Sequence, residues 1–269
     1  MSFLQLLIIA IVQGVTEFLP ISSSGHLILI PKLTDLPDQG PLIDVAVHVG
    51  TLAAIIVYFW RDVGLLARGG FASVGVGRKR ASAPMEMRLF WYIVAGTVPA
   101  VLLGLFLKTG GYLEEFRSTQ LVAVNLIFWG IVLGIADRFG KQEKSFEQVG
   151  LKDAVIVGLF QALALIPGTS RSGITMSAAR FLGYTRVESA RFSFLLSIPA
   201  IAGAGLLAVL DLADATAGMQ QDALIAGALT FVAAILTMVF LMQFLKKASM
   251  MVFVVYRIAM GVALLMFVA

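Results

Sequence analysis

Gln13-Gly14-Val15-Thr16-Glu17-Phe18-Leu19-Pro20-Ile21-Ser22-Ser23-Ser24-Gly25-His26 is the stretch on which the reading of this chain turns. It lies inside an otherwise apolar run, Phe3 to Ile30, yet carries a carboxylate, an imidazole, several hydroxyls and a helix-breaking proline. Lipid offers no water to satisfy such groups. They are expected to face a protein-lined or water-filled cavity and to mark a functional site.

The rest of the chain fits a bilayer as its solvent. Hydrophobic residues make up 59% of the 269 positions and charged residues only 13%, and the mean hydropathy is +0.94. At about 20 apolar residues per crossing, the length allows roughly six to eight passes and no separate soluble module. The basic residues are scattered over short loops, so the net charge of +4 reads as a topology signal and excludes a nucleic-acid surface. The absence of cysteine rules out disulfides, iron–sulfur clusters and a thiol nucleophile. No basic region precedes the first apolar run, which is therefore not expected to be a removable signal peptide.

Beyond Ile30 a polar turn with Pro31, Lys32, Asp35, Pro37, Asp38 and Pro41 precedes a first span, Leu42 to Trp60. Asp44 and His48 share one face near its end and read as an interface-facing stripe rather than as metal ligands. The loop Arg61 to Arg88 is basic and, by the positive-inside rule, cytoplasmic. Leu89 to Leu107 follows, with a kink expected at Pro99. After a connector holding Lys108, Glu114, Glu115 and Arg117, Thr119 to Ala136 returns to a second cytoplasmic loop, Asp137 to Lys152. Three spans end the chain, Phe192 to Leu210, Ala223 to Leu245 and Met250 to Val268, separated by Asp211, Asp214 and Asp222 and by Lys246-Lys247.

Between them lies a second interrupted stretch, Ala154 to Gly183, broken at Pro167-Gly168 and followed by Arg180, Arg186 and Arg191. A full crossing here would put Lys152 and those arginines in opposite compartments. Re-entrant hairpins, Phe3–Ile30 and Ala154–Gly183, remove the conflict and leave six true spans, with 15 of the 20 Lys and Arg in cytoplasmic loops. Gln13, Pro20 and a Ser/Gly turn recur as Gln161, Pro167 and a Ser/Gly turn, each followed by three spans. The expected fold is an all-α polytopic membrane protein: one transmembrane domain, residues 1–269, of six helices plus two re-entrant helical hairpins in an inverted-topology repeat of residues 1–137 and 150–269. Such repeats bring their broken tips together near the midplane.

The first tip offers Gln13 and Glu17, four apart and able to share a cation or orient a water. Ser22, Ser23, Ser24 and Gly25 form a turn at a helix N-terminus suited to an anion, with His26 in reach as an acid or base. The second tip offers Gly168, Thr169, Ser170, Arg171, Ser172, Gly173 and Thr175. Arg171 has the planar fork that grips phosphate, and could alternatively only pair with Glu17 to join the hairpins. No Walker A pattern is present, which argues against nucleotide hydrolysis. The two tips hold the parts for phosphoryl transfer to water, and the apolar surround implies a substrate with a lipid tail.

These residues resemble the bacterial undecaprenyl pyrophosphate phosphatase family, an integral-membrane family also associated with bacitracin resistance. The resemblance runs nearly the whole chain and rests on the acidic motif, Gln13 to Glu17, and the Pro-Gly-x-Ser-Arg-Ser-x-x-Thr motif, Pro167 to Thr175. Ser23, His26 and Arg171 match that family's active-site serine, histidine and arginine. The resemblance implies hydrolysis of a C55 isoprenyl pyrophosphate to the monophosphate and inorganic phosphate, recycling the lipid carrier for peptidoglycan. It also implies a plasma-membrane location with the site opening on the periplasmic side.

In that reading Glu17, Ser23, His26 and Arg171 are catalytic. Ser22, Ser24, Gly25, Gly168, Thr169, Ser170, Ser172 and Thr175 hold phosphate, and a divalent cation, Mg or Ca, can sit at Gln13 and Glu17. The nucleophile is Ser23, His26 or an activated water. The expected partners are a polyprenyl pyrophosphate lipid and the membrane, and a homodimer is compatible with the sequence. The rival is a lipid-carrier flippase or transporter on the same inverted-repeat fold. An acid phosphatase suggested by Ser24-Gly25-His26 fits poorly, because no histidine follows Ser170-Arg171.

Overall fold

The computed structural model describes residues 1–33, 39–75, 84–111, 116, 118–213 and 215–267, the side chains of 29–33, 204 and 206–213 left aside. The core of the expected polar turn after Pro31, the basic residues Arg78, Lys79 and Arg80, the connector residues Glu114, Glu115 and Arg117, and Asp214 fall outside them. Among the described residues the chain forms eleven α-helices: α1 (Phe3–Thr16), α2 (Ser23–Leu33), α3 (Gly40–Tyr58), α4 (Trp60–Ser73), α5 (Pro84–Thr109), α6 (Thr119–Phe139), α7 (Leu151–Leu163), α8 (Arg171–Phe181), α9 (Arg186–Ala213), α10 (Ala217–Lys247) and α11 (Met251–Phe267).

Four of them, α3, α5, α6 and α10, are by length and composition long and apolar enough to cross a membrane; α1 and α11 are shorter apolar helices. Large apolar side chains such as Leu102, Phe106, Leu236 and Val255 stand exposed on these surfaces, as helices bathed in lipid require. Helix α5 continues as one helix on both sides of Pro99. Helix α4 was not expected at all: its stretch reads as a basic loop, yet Trp60–Ser73 is helical and packs on α5.

Small residues bring the helices close. A Cβ on Gly158 of α7 would meet the Gly96 carbonyl oxygen of α5 at 2.2 Å, one on Gly50 of α3 would meet that of Gly227 in α10 at 2.4 Å, and one on Gly14 of α1 would meet Ala233 of α10 at 2.6 Å. In lipid, where burial of apolar surface gives little drive, such backbone approach is the main packing contribution. Gly158→Ala is therefore expected to cost about 1–3 kcal/mol by forcing α5 and α7 apart, read as a lower Tm in detergent micelles. An unchanged Tm would show that this crossing is loose.

The basic loops meet at one face. Arg186 grips Asp137 with two bonds, at 2.6 and 3.1 Å, and Asp137 also accepts from the Met250 backbone N–H at 3.0 Å. Arg191 donates to both oxygens of Asp62, at 2.5 and 3.2 Å, and to Glu147 at 3.0 Å. The α7–α8 unit begins and ends at this face: Tyr184, just after α8, donates its hydroxyl to Asp153, on the first turn of α7, at 2.6 Å. Burial, with the Asp153 hydrogen bond and charge, pushes the Tyr184 phenol above its ordinary pKa and keeps it a donor.

Candidate active site

Two turns interrupt the helices in the same way. The chain leaves α1 at Glu17, passes Pro20 and restarts α2 at Ser23; it leaves α7 at Leu163, passes Pro167 and restarts α8 at Arg171. Ser22, at φ 76°, and Ser170, at φ 68°, are the non-glycine residues with positive φ among those described. A left-handed non-glycine residue costs about 1–3 kcal/mol and persists only where its surroundings impose it. Here the residue turns its hydroxyl back over the new helix. Ser22 Oγ accepts from the Gly25 N–H at 3.4 Å and Ser170 Oγ from that of Gly173 at 3.1 Å. Each of these hydroxyls lies beside the next but one, Ser24 at 3.4 Å and Ser172 at 3.3 Å.

Ser22-Ser23-Ser24-Gly25 thus superposes in role on Ser170-Arg171-Ser172-Gly173, so Ser23 and Arg171 are counterparts, each the first residue of its helix. Gly168 is required twice over: its φ is 87°, and a Cβ there would sit 2.5 Å from the Val122 carbonyl oxygen.

The counterparts converge on one buried carboxylate. Arg171 donates through Nη2 to Glu17 Oε1; Ser23 donates to Glu17 Oε2 at 2.6 Å and Gln13 Nε2 to the same oxygen at 3.1 Å. The expectation that Gln13 and Glu17 share a helix face holds in this contact. Glu17 is 6% exposed and Arg171 21%, so Arg171 is the more accessible member of the pair. Ser172 donates to the Leu19 carbonyl at 3.1 Å and joins the turns directly. Thr175, fully buried, bonds the Arg171 carbonyl at 2.7 Å and Ser193 at 2.6 Å. These two hydroxyls brace the turn from behind. Ser24 is exposed and Gly25 buried. Thr169 Oγ1 is buried with no hydrogen-bond partner among the described residues.

His26 is held between the first turn and α11. Its Nδ1 faces the Ser22 carbonyl at 2.7 Å, so it carries a proton, and Nε2 lies 2.7 Å from the Tyr256 hydroxyl, from which it accepts when the ring is neutral. The two rings stack within 6° of parallel. His48, partly exposed beside Asp44, also faces the site. Its Nδ1 bonds the Asp44 carbonyl at 2.6 Å, and Nε2 points to Glu17 Oε2 across 4.0 Å. Spacing along α3 alone relates His48 only to Asp44, and the neighbour that matters lies on another helix.

For a cation the fit is partial: Gln13 Oε1 is buried without a hydrogen-bond partner, but the amide presents its Nε2 to Glu17, and the two residues would offer the oxygen pair that Mg or Ca takes only with that amide turned over. Among the described residues no cluster of three or more His, Cys, Asp or Glu exists, so water and substrate oxygens would complete the shell.

Arg257 and Asn125 carry no signal of spacing. Arg257 does carry a signal of composition, as a lone cation in the apolar helix α11, the kind of residue that counts as functional by default. It is fully buried and reaches both turns. Asn125 Nδ2 donates to the Pro167 carbonyl at 3.0 Å.

The comparisons with known proteins agree in extent. The chain is 63% identical to the undecaprenyl-diphosphatase of Erythrobacter litoralis (strain HTCC2594), over 99% of this chain and 100% of that protein. It is 47% identical to that of Ruegeria sp. (strain TM1040) and 48% to that of Jannaschia sp. (strain CCS1), each over 98% of both chains. The model of the bacitracin resistance protein BacA family matches residues 6–263. Since that match runs from α1 into α11 and takes in both interrupted turns, the chain belongs to the bacitracin resistance protein BacA family.

Proposed function

We propose that this protein is an undecaprenyl-diphosphatase, releasing inorganic phosphate from a C55 isoprenyl pyrophosphate and leaving the monophosphate. The observation that carries the reading is the meeting of Arg171 and Ser23, the first residues of two mirrored turns, on the single carboxylate of Glu17. Arg171 exchanges that carboxylate for the terminal phosphate of the substrate, which its fork matches with two donors. Glu17 Oε2, already accepting the Ser23 proton at 2.6 Å, takes it fully as Ser23 Oγ bonds to the terminal phosphorus. The anhydride P–O bond breaks and its electron pair leaves on the lipid monophosphate. Water then adds to the phosphoserine and its protons stay on the released inorganic phosphate, while Glu17 returns the proton it holds to Ser23 Oγ, which leaves as the hydroxyl. A divalent cation at Gln13 and Glu17 would neutralise charge on the transferring group. His26, held by Ser22 and Tyr256, lies outside the Ser23–Glu17 hydrogen bond.

The membrane arrangement belongs to the same proposal: six spans and two re-entrant hairpins in inverted repeats, the site opening to the periplasm. In its support α1, α2, α7 and α8 have only 11 to 14 residues each. At about 1.5 Å per residue that is too short for a hydrocarbon core of about 30 Å. The basic loops share one face, as cytoplasmic loops would.

The test is phosphate release from undecaprenyl pyrophosphate by purified protein in detergent micelles, where no gradient exists. A phosphatase releases phosphate there; a flippase or transporter leaves the anhydride intact. In the same assay Ser23→Ala is expected to abolish trapped phosphoserine and to lower kcat by about 10²–10⁴-fold. Full activity in that variant would instead leave His26 or an activated water as the nucleophile.

A further inference from the structure

We infer that Arg257 is a positioning residue, which holds the two interrupted turns in the one arrangement that lets Glu17 and Ser23 of the first meet Arg171 of the second. Helix breaks in lipid leave carbonyls that no water can satisfy. Arg257 collects them from both breaks: Nη1 donates to the Pro20 carbonyl at 3.1 Å, and Nη2 to those of Gly168 at 3.0 Å and Thr169 at 2.8 Å. Weaker bonds from Nε to Leu126, at 3.3 Å, and from Nη2 to Asn125, at 3.4 Å, tie the same plane to α6. One rigid, planar group therefore fixes the spacing of two turns that lie far apart in sequence. Arg257 is fully buried, and these partners are carbonyls.

The surroundings are shaped to it. A Cβ on Gly173 would lie 2.7 Å from Arg257 Nη1, and one on Gly130 would lie 3.2 Å from Arg257 Cβ. The glycine at position 173 thus makes room for the guanidinium beneath the first turn of α8, the turn that carries Arg171. Lysine cannot replace this fork, because its donors radiate from one point. The neighbouring Tyr256 holds His26, so one turn of α11 touches three parts of the site.

Arg180 provides the control. It is equally buried and also bonds carbonyls, those of Lys141, Tyr184, Asp137 and Gly140, but all of these lie at the basic face away from the turns. If Arg257 only held the fold, its loss would look like that of Arg180.

The experiment compares Arg257→Lys and Arg180→Lys as full-length protein in micelles. Arg257→Lys is expected to lower kcat per folded molecule about 10²-fold, the effect of roughly 1 Å of misplacement, with KM within a few-fold of wild type. Arg180→Lys is expected to lower Tm and leave kcat per folded molecule unchanged. Gly173→Ala, which must displace Arg257 Nη1, should reproduce the kcat loss and serves if Arg257→Lys does not fold.

A second readout needs no activity. The chain has no cysteine, so spin labels on cysteines introduced at the exposed Ile11 and Leu163 report the distance between the two helix pairs. That distribution should broaden in Arg257→Lys or Gly173→Ala and not in Arg180→Lys. The kinetic arm rests on the proposed phosphatase reading; if wild type releases no phosphate, that reading falls while the distances still decide the positioning role. An unbroadened distribution, or a kcat per folded molecule equal to wild type, overturns the inference.

Discussion

Arg171→Ala is expected to lower kcat/KM for undecaprenyl pyrophosphate by about 10³-fold or more, the range seen when a guanidinium that neutralises a transferring phosphoryl group is removed. Arg171 is placed for this at the first residue of α8, where backbone N–H groups of the same turn point the same way. The loss should fall on kcat as well as on KM, since charge on the phosphoryl oxygens grows toward the transition state. Arg171→Lys keeps the charge and loses the fork, so it should recover only part of the activity. Phosphate release from wild type and both variants, at matched folded protein, checks this. Activity in Arg171→Ala within a few-fold of wild type would leave the guanidinium as a tie between the turns and no more.

Glu17→Gln carries the second large effect, and it splits two properties that usually move together. The amide neither takes the Ser23 proton nor offers a carboxylate to a cation, so turnover should fall by about 10²–10⁴-fold. Arg171, however, loses the anion that now occupies it. A non-hydrolysable prenyl methylenediphosphonate should therefore bind the Glu17→Gln protein several-fold more tightly than wild type. Glutamine is chosen because removing one member of a buried ion pair without replacing its volume is itself costly, about 3–5 kcal/mol. Calorimetric titration beside the phosphate assay separates the outcomes. Weaker analogue binding together with lost turnover would mean that Glu17 helps to bind the substrate directly rather than competing with it.

Much of the site was legible because its signals are local. Pro20 and Pro167 mark breaks because serines and glycines beside them restart a helix, whereas Pro99 and Pro199, in apolar surroundings, lie inside continuous helices. The pairing of Gln13 with Glu17 follows from helical spacing alone. Other parts were not legible, each for a physical reason. Trp60–Ser73 reads as a charged loop because its polar face and its glycines mask a helix that packing on α5 maintains. His48 and Asp44 share a face by spacing, but only the crossing of α1 and α3 sets His48 before Glu17. Arg257 sits in a stretch that averages out as an apolar span, and nothing local says which carbonyls it will meet. His26 lies near the serines in sequence, yet Tyr256 holds its Nε2.

The residues by themselves determined that this chain lives among lipid and that the polar stretches around Pro20 and Pro167 interrupt it, because the partition of a segment and the cost of a buried polar group depend on the residues at that place. The encounter of Glu17 with Arg171, 154 positions apart, and the reach of Arg257 to both turns were decided by tertiary structure only. A buried charge takes whatever partner the packing of distant helices brings within hydrogen-bond distance, and that distance is not written in the spacing of the residues along the chain.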